Sequence, residues 1–180
     1  MIKEVPILEG VEVKLEGNEL TVRGPKGELK RKFQHHAVKM EVKDNKIVVS
    51  SENNRRKIKA IVGTWAAHVK NMMIGVTKGW QAKLKIVYSH FPIKFSVEGN
   101  KAVIQNFLGE KDDRTARIYN DVKVELKKDV VVVTGINKEH VGQTAANIET
   151  AAKVKGFDRR VFQDGIHLIQ KCTPIEDGEG

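Results

Sequence analysis

A single cysteine, four prolines and an aromatic content of 6% set the first limits on this 180-residue chain. One thiol, Cys172, makes no internal disulfide, which fits a reducing compartment. Too few aromatics are present for the stacking platforms on which single-strand binders and RRM-type domains rely. No apolar run approaches the roughly 18 residues that a membrane span needs, and the N-terminal MIKEVPILEGVEV is too acidic and too interrupted for a signal peptide. The chain therefore reads as cytosolic. Low-complexity tracts are lacking as well, and 40% hydrophobic residues suffice for an ordinary core, in one domain or in two small ones.

What the chain has in excess is positive charge. Against 23 Asp+Glu stand 32 Lys+Arg, a net +9 and a pI near 9.6, the footprint expected of a polyanion partner such as nucleic acid or an anionic surface.

The sequence also repeats itself. EGNELTVRGPKGE from Glu16 lines up with EGNKAVIQNFLGE from Glu98 at a constant offset of 82, and with two residues inserted KMEVKDNKIVVSS from Lys39 meets KVELKKDVVVVTG from Lys123. Two copies of roughly 85 residues are too few and too long for a solenoid and read as two similar small domains. In the first, Val11-Val13-Leu15 and Leu20-Val22 alternate around Gly17-Asn18, and Val38-Met40-Val42 and Ile47-Val48-Val49 flank Asp44-Asn45, as two hairpins. Ile58, Ile61, Val62, Trp65, Val69 and Met72 then keep helical spacing, with Ser51 or Asn53 as N-cap and Gly75 as terminator. Trp80-Ala82-Leu84-Ile86 reads as a closing strand. The second copy repeats the order, its helix carrying Val141, Ala145, Ile148 and Ala152 and stopping at Gly156. The expected class is α+β: two tandem, duplicated small domains, each a mostly antiparallel sheet with one helix on one face. The expected bounds are 1–88 and 89–175, with the junction at Val87 to Pro92 and an acidic tail at 176–180.

The stretch VRGPKGELKRKF, Val22 to Phe33, asks for a decision between a phosphate loop and a turn. It follows one strand and precedes another, opens no helix and lacks the P-loop spacing, so no helix-terminal N–H groups meet a phosphate there. The G-x-x-G shape used by KH domains joins two helices, and this one joins strands. A tight turn remains, followed by an arm with Leu29, Arg31 and Phe33 on one face and Lys30 and Lys32 on the other.

The chemistry-bearing side chains form no catalytic set. His35 and His36 are adjacent and are expected on opposite faces of a strand, while His68, His90, His140 and His167 show no ligand spacing. Cys172 has no evident base, and Asp112-Asp113 lacks the further acids that a metal-dependent nuclease requires. Trp65 falls on the apolar helix stripe, and Trp80 is expected to be partly exposed.

GPKGEL at Gly24 to Leu29, together with RRVFQDGIHLIQK from Arg159, resembles the large-subunit ribosomal protein L-six family. The run Arg160, Phe162, Asp164, Gly165 is similar to the archaeal and eukaryotic branch, with His167 where tyrosine is usual, and the bacterial C-terminal Tyr-Lys-Gly-Lys-Gly element is missing. The resemblance implies a non-catalytic, cofactor-free protein of the cytoplasmic ribosome. It implies binding to 23S-type rRNA near the stalk base and the sarcin–ricin loop, beside neighbouring ribosomal proteins and docking translation factors, through the C-terminal domain above all. Charge is distributed otherwise: residues 1–88 hold 18 Lys+Arg against 9 Asp+Glu, and residues 89–180 hold 14 of each. The expected footprint is therefore local, with Lys153, Lys155, Arg159, Arg160 and Lys171 around the second helix's end and the final strand. Arg114 and Arg117 are secondary candidates, and Arg23, Lys26, Lys30, Arg31 and Lys32 are the first-domain set. Another structured-RNA-binding protein or a protein-interaction scaffold stays open, whereas an enzyme would need a cleft with convergent polar groups.

Overall fold

A computed structural model of the chain describes residues 1–176. Of the acidic tail expected at 176–180, only Glu176 lies within the described residues. The chain divides into two compact units, Met1–Gly79 and Trp80–Gly180.

In the first unit, β1 (Ile2–Pro6), β5 (Lys39–Lys43) and β6 (Lys46–Ser50) form an antiparallel sheet ordered β1-β6-β5, and β2 (Glu12–Glu16), β3 (Glu19–Gly24) and β4 (Gly27–Lys32) form a meander. The hairpins fall where alternation and turn residues place them. Asp44 and Asn45 both take positive φ, 47° and 60°, the geometry that suits the twist of a two-residue hairpin. The inward residues Leu20, Val22, Ile47 and Val49 are fully buried. They pack against α1 (Arg56–Thr77), whose Val62, Val69, Met73 and Val76 are buried at helical spacing. Each such side chain contributes about 1.5–3 kcal/mol, so the helix is held by its packed face more than by its caps.

The caps differ from expectation. Neither Ser51 nor Asn53 caps α1, because the chain turns before the helix begins: Ser51 Oγ donates to the Ala37 carbonyl, and Asn53 Oδ1 accepts from Arg55 N–H at 3.0 Å. Gly75 lies buried inside the helix. Termination falls to Gly79, at φ 80°, where Lys78 and Gly79 N–H both donate to the Ile74 carbonyl, a left-handed C-terminal closure that glycine adopts without a Cβ penalty.

The Gly24–Gly27 tetrad is the expected turn, with Gly24 opposite Gly27 in the β3–β4 register. A Cβ on Gly24 would stand 2.7 Å from a Val76 methyl and 2.8 Å from the Val76 carbonyl oxygen. Lys26 N–H donates to that same carbonyl at 2.9 Å. The turn thus satisfies an orphan acceptor in the last turn of α1, and the glycine is there for the close approach.

The second unit holds β7 (Trp80–Val87), β8 (Lys94–Glu98), β9 (Lys101–Gln105), β10 (Arg114–Arg117), β11 (Val122–Lys127), β12 (Val130–Gly135), α2 (Lys138–Ala151) and β13 (Gly165–Pro174). Its sheets are ordered β10-β9-β8 and β11-β12-β7-β13. Asn137 caps α2 by accepting from Glu139 N–H. The helix stops at Ala151, ahead of the expected Gly156, which takes φ 77° in the turn beyond.

The expected domain boundary at 88/89 is corrected to Gly79/Trp80. β7 does not close the first repeat; it opens the second. Val5 pairs with Ile47 in the first unit as Leu84 pairs with Val131 in the second, so β7 stands to β12 as β1 stands to β6. Alternating apolar residues mark a strand without naming its partner, and this one finds its neighbours 45 to 94 residues downstream, from Lys85 with Val130 to Trp80 with Pro174. Trp80 is accordingly 3% exposed, not at the surface, with the Lys138 ammonium over its ring at 4.4 Å. Val87 to Pro92 becomes an internal connection of the second unit. Moving the boundary also moves Lys83 and Lys85, leaving 16 Lys+Arg against 9 Asp+Glu in residues 1–79 and 16 against 14 in residues 80–180.

Candidate nucleic-acid interface

The C-terminal end of α2 is where several of the sequence-predicted cations meet. Beyond Ala151 the chain runs Ala152-Lys153-Val154-Lys155-Gly156, burying Ala152 and Val154 and leaving both lysines exposed. Lys153 and Arg159 line a cavity of about 760 Å³ with Gln163 and His167. Lys155 and Arg117 line a groove of about 970 Å³ between β10 and α2, with Tyr119, Gln143 and Asn147. Thr150 borders both, so the two concavities adjoin across the last turn of the helix. Cations at this pole also face the negative end of the helix dipole. The groove's lining includes no carboxylate.

The loop carrying Arg159 is fixed from beneath. Asp164, 2% exposed, accepts from Ser89 N–H and Oγ at 3.3 Å each and from His90 Nδ1 at 3.1 Å. Burial pushes this carboxyl up, but the hydrogen bonds from His90 and from the Ser89 and His90 N–H groups outweigh it and hold the carboxyl below its ordinary range. The His90 ring stacks on Phe162 at 4.5 Å, and Phe162 leans on Phe157 at 4.8 Å. The Phe162 and Asp164 positions of the recognised run are therefore structural. Ser89 and His90 were not legible as their partners: His90 lacks ligand spacing, and the contact spans 74 residues. The signal available was the buried aspartate itself, which demands donors.

The remaining candidates separate. Arg160 stays exposed but turns back on Asp158, with Nε at 3.2 Å and Nη2 at 3.0 Å, holding that carboxyl below its ordinary range. Lys171 does not join the cluster: its neighbour Cys172 has Sγ 3.8 Å from the Lys138 carbonyl, at the opposite end of α2. The reason is strand length, since β13 runs on to Pro174 across the whole helix. Burial raises the Cys172 thiol. Arg114 is spent internally, forked onto Glu110 at 2.7 and 2.5 Å, donating to the Ala151 and Lys153 carbonyls at 3.0 and 2.8 Å, and stacked over Phe107 at 4.2 Å. Its hydrogen bond is the main reason that Glu110 titrates below its ordinary value. Arg117 lies over Tyr119 at 5.3 Å, and Tyr119 stacks on His140, whose Nδ1 is 2.8 Å from both Asp121 oxygens.

In the first unit, Arg23 and Lys30 share Glu28, at 2.7 and 3.1 Å. Arg31 lies on the Phe33 side of the arm as expected, 3.4 Å from His68 and over the Phe33 ring. Lys26 and Lys32 are exposed. His35 and His36 lie past the end of β4 with their rings stacked at 4.5 Å, which corrects the expectation of opposite strand faces. Among the described residues no group of three or more His, Cys, Asp or Glu side chains is placed to hold a metal ion, and no helix is long and apolar enough to cross a membrane.

Comparison with known proteins gives these surfaces a context. The sequence model of ribosomal protein L6 matches residues 7–79 and 91–165. The large ribosomal subunit protein uL6 of Methanosarcina mazei is 50% identical over 176 residues, covering 96% of this chain and 100% of that protein. Those of Methanobrevibacter smithii and Methanothrix thermoacetophila are 51% and 46% identical, over 94% and 95% of this chain and 95% and 97% of theirs. Each matched segment begins after the opening strand of its repeat, β1 or β7, and carries both hairpins and the helix. The chain therefore belongs to the ribosomal protein L6 family in its archaeal form, and is a non-enzymatic structural constituent of the large ribosomal subunit.

Proposed function

We propose that the second unit is the principal rRNA contact, and that the C-terminal end of α2 carries it. The supporting observation is the convergence of Lys153, Arg159, Lys155 and Arg117 on two adjoining concavities. Among the described residues none of these four forms a salt bridge, whereas Arg114 and Arg160 are engaged by Glu110 and Asp158. Long, flexible cations around a rigid helix end suit phosphates of a structured RNA, whose backbone positions a protein without being read for sequence. In this reading, which follows the family resemblance, the partner is 23S-type rRNA near the stalk base and the sarcin–ricin loop of the cytoplasmic ribosome, among neighbouring ribosomal proteins and within reach of translation factors.

The test is a salt titration on a large-subunit rRNA fragment. Four phosphate contacts give a log–log slope of roughly −4, at about −0.9 each by analogy with B-DNA. Lys153→Ala with Arg159→Ala should flatten it by about two units, and Lys26→Ala with Lys32→Ala should leave it unchanged. The reverse pattern would move the footprint to the first unit.

A further inference from the structure

The two repeats share a ladder, yet only one has its outer edge covered. β7 is paired on both sides, by β12 and by β13, whereas its counterpart β1 is paired with β6 alone among the described strands. Register fixes what that leaves. Met1 and Ser51 exchange two hydrogen bonds, at 2.6 and 2.9 Å, and Ile7 N–H donates to the Asn45 carbonyl, so the odd residues of β1 bond inward to β6. By alternation, the N–H groups of Ile2 and Glu4 and the carbonyls of Ile2, Glu4 and Pro6 face outward. Pro6 stands where its missing N–H costs the ladder nothing.

Beside this edge a groove of about 440 Å³ runs between β1 and α1, floored by Val5, Gly63, Ala67 and Ile74 and flanked by Lys3 and Lys70. The second repeat shows what fits such a place. Buried Val62, Ala66 and Val69 of α1 match buried Val141, Ala145 and Ile148 of α2, which sets Gly63 opposite Gly142 and Lys70 opposite Glu149. β13 crosses both of the latter: Cys172 Sγ is 3.5 Å from where a Cβ on Gly142 would stand, and Leu168 N–H donates to Glu149 at 3.2 Å. Over Gly63 the corresponding contact, also at 3.5 Å, is the Lys3 ammonium.

We propose that β1 and α1 form an acceptor for an extended segment of a neighbouring protein in the large subunit, added antiparallel to β1 as β13 is added to β7. Main-chain bonds to Ile2, Glu4 and Pro6 hold it, in the manner of strand addition. A small or apolar side chain lies over Gly63, and an acidic one meets Lys3 and Lys70, where the second repeat has Glu149 instead. A second copy of this chain is disfavoured, because edge-to-edge pairing would bring both lysine sets together on a chain of net charge +9. The inference rests on the first unit and on family membership, and is independent of which RNA the second unit contacts.

The experiment places a photoreactive residue at Ala67, which is exposed, in full-length chain assembled into large subunits, and follows hydrogen exchange across Ile2 to Pro6. The expected result is a crosslink to another polypeptide, within a segment containing Asp or Glu. Exchange at β1 should be at least about tenfold slower in the subunit than in the free chain. Lys70→Glu should return β1 to its free rate without changing β6. A crosslink to rRNA or to a second copy, no crosslink at all, or unchanged β1 exchange overturns the proposal.

Discussion

Asp164 and His90, 74 residues apart in sequence, meet at 3.1 Å between Oδ1 and Nδ1, and that contact seats the loop on which Arg159 stands. It is also one of several bonds to a carboxylate that water does not reach. Asp164→Ala leaves the Ser89 and His90 donors short of an acceptor, and the expected loss is about 1–3 kcal/mol. Urea denaturation followed through the second unit should show it, with faster exchange across residues 157–164. A variant as stable as the parent would remove the loop's anchor from the account of the site.

The same carboxylate sets an acid limit. Its folded-state titration lies below the ordinary value of 3.8, so its stabilisation is fully present above about pH 4 and is lost as pH falls through the folded value. Thermal denaturation between about pH 5 and pH 2 should therefore decline less steeply for Asp164→Ala than for the parent. Parallel declines would mean that other carboxylates carry the acid limb.

Both glycines of the GPKG turn are constrained, Gly27 by its φ of 150° and Gly24 by close contact. Gly24→Ala drives a methyl into Val76, 2.7 to 2.9 Å from three of its atoms, one of them the carbonyl oxygen. Backbone cannot yield as a side-chain tip does, and the expected cost is about 1–3 kcal/mol. Gly17→Ala is the informative control, since its Cβ meets nothing within 4 Å and only its φ of 60° is strained. Chemical denaturation of both should rank Gly24→Ala as the less stable.

The local grammar of this fold was legible because it is written in neighbouring residues. Gly17-Asn18 and Asp44-Asn45 declare hairpins, and the stripe through Val62 and Val69 declares a helix, since each signal spans only a few residues. Ownership of β7 was not legible. Trp80 to Ile86 alternates as any half-buried strand does, and only long-range pairing shows that it belongs with Val131 and Ile166. The interface was half legible for the same reason. Lys153, Lys155 and Arg159 lie close in sequence and stay together in space, whereas Lys171 is carried away along β13 and Arg117 is brought in by β10.

Arg114 offers the sharpest separation of a structural cation from a binding one. Its guanidinium forks onto Glu110, ties down the Ala151 and Lys153 carbonyls, and covers Phe107. Those tasks need a planar group with several fixed donors, which lysine lacks, although lysine supplies the same charge. If the residue served RNA as a point charge, Arg114→Lys would be nearly silent. If it serves the end of α2, the substitution should lower the stability of the second unit by about 1–2 kcal/mol. The salt slope of rRNA binding should meanwhile stay unchanged, because no phosphate contact is removed. Arg117→Ala should do the opposite, flattening the slope by about one unit with little change in stability. Measuring denaturation and salt dependence on the same two preparations decides the matter: a flattened slope with full stability for Arg114→Lys would transfer Arg114 from the scaffold to the interface.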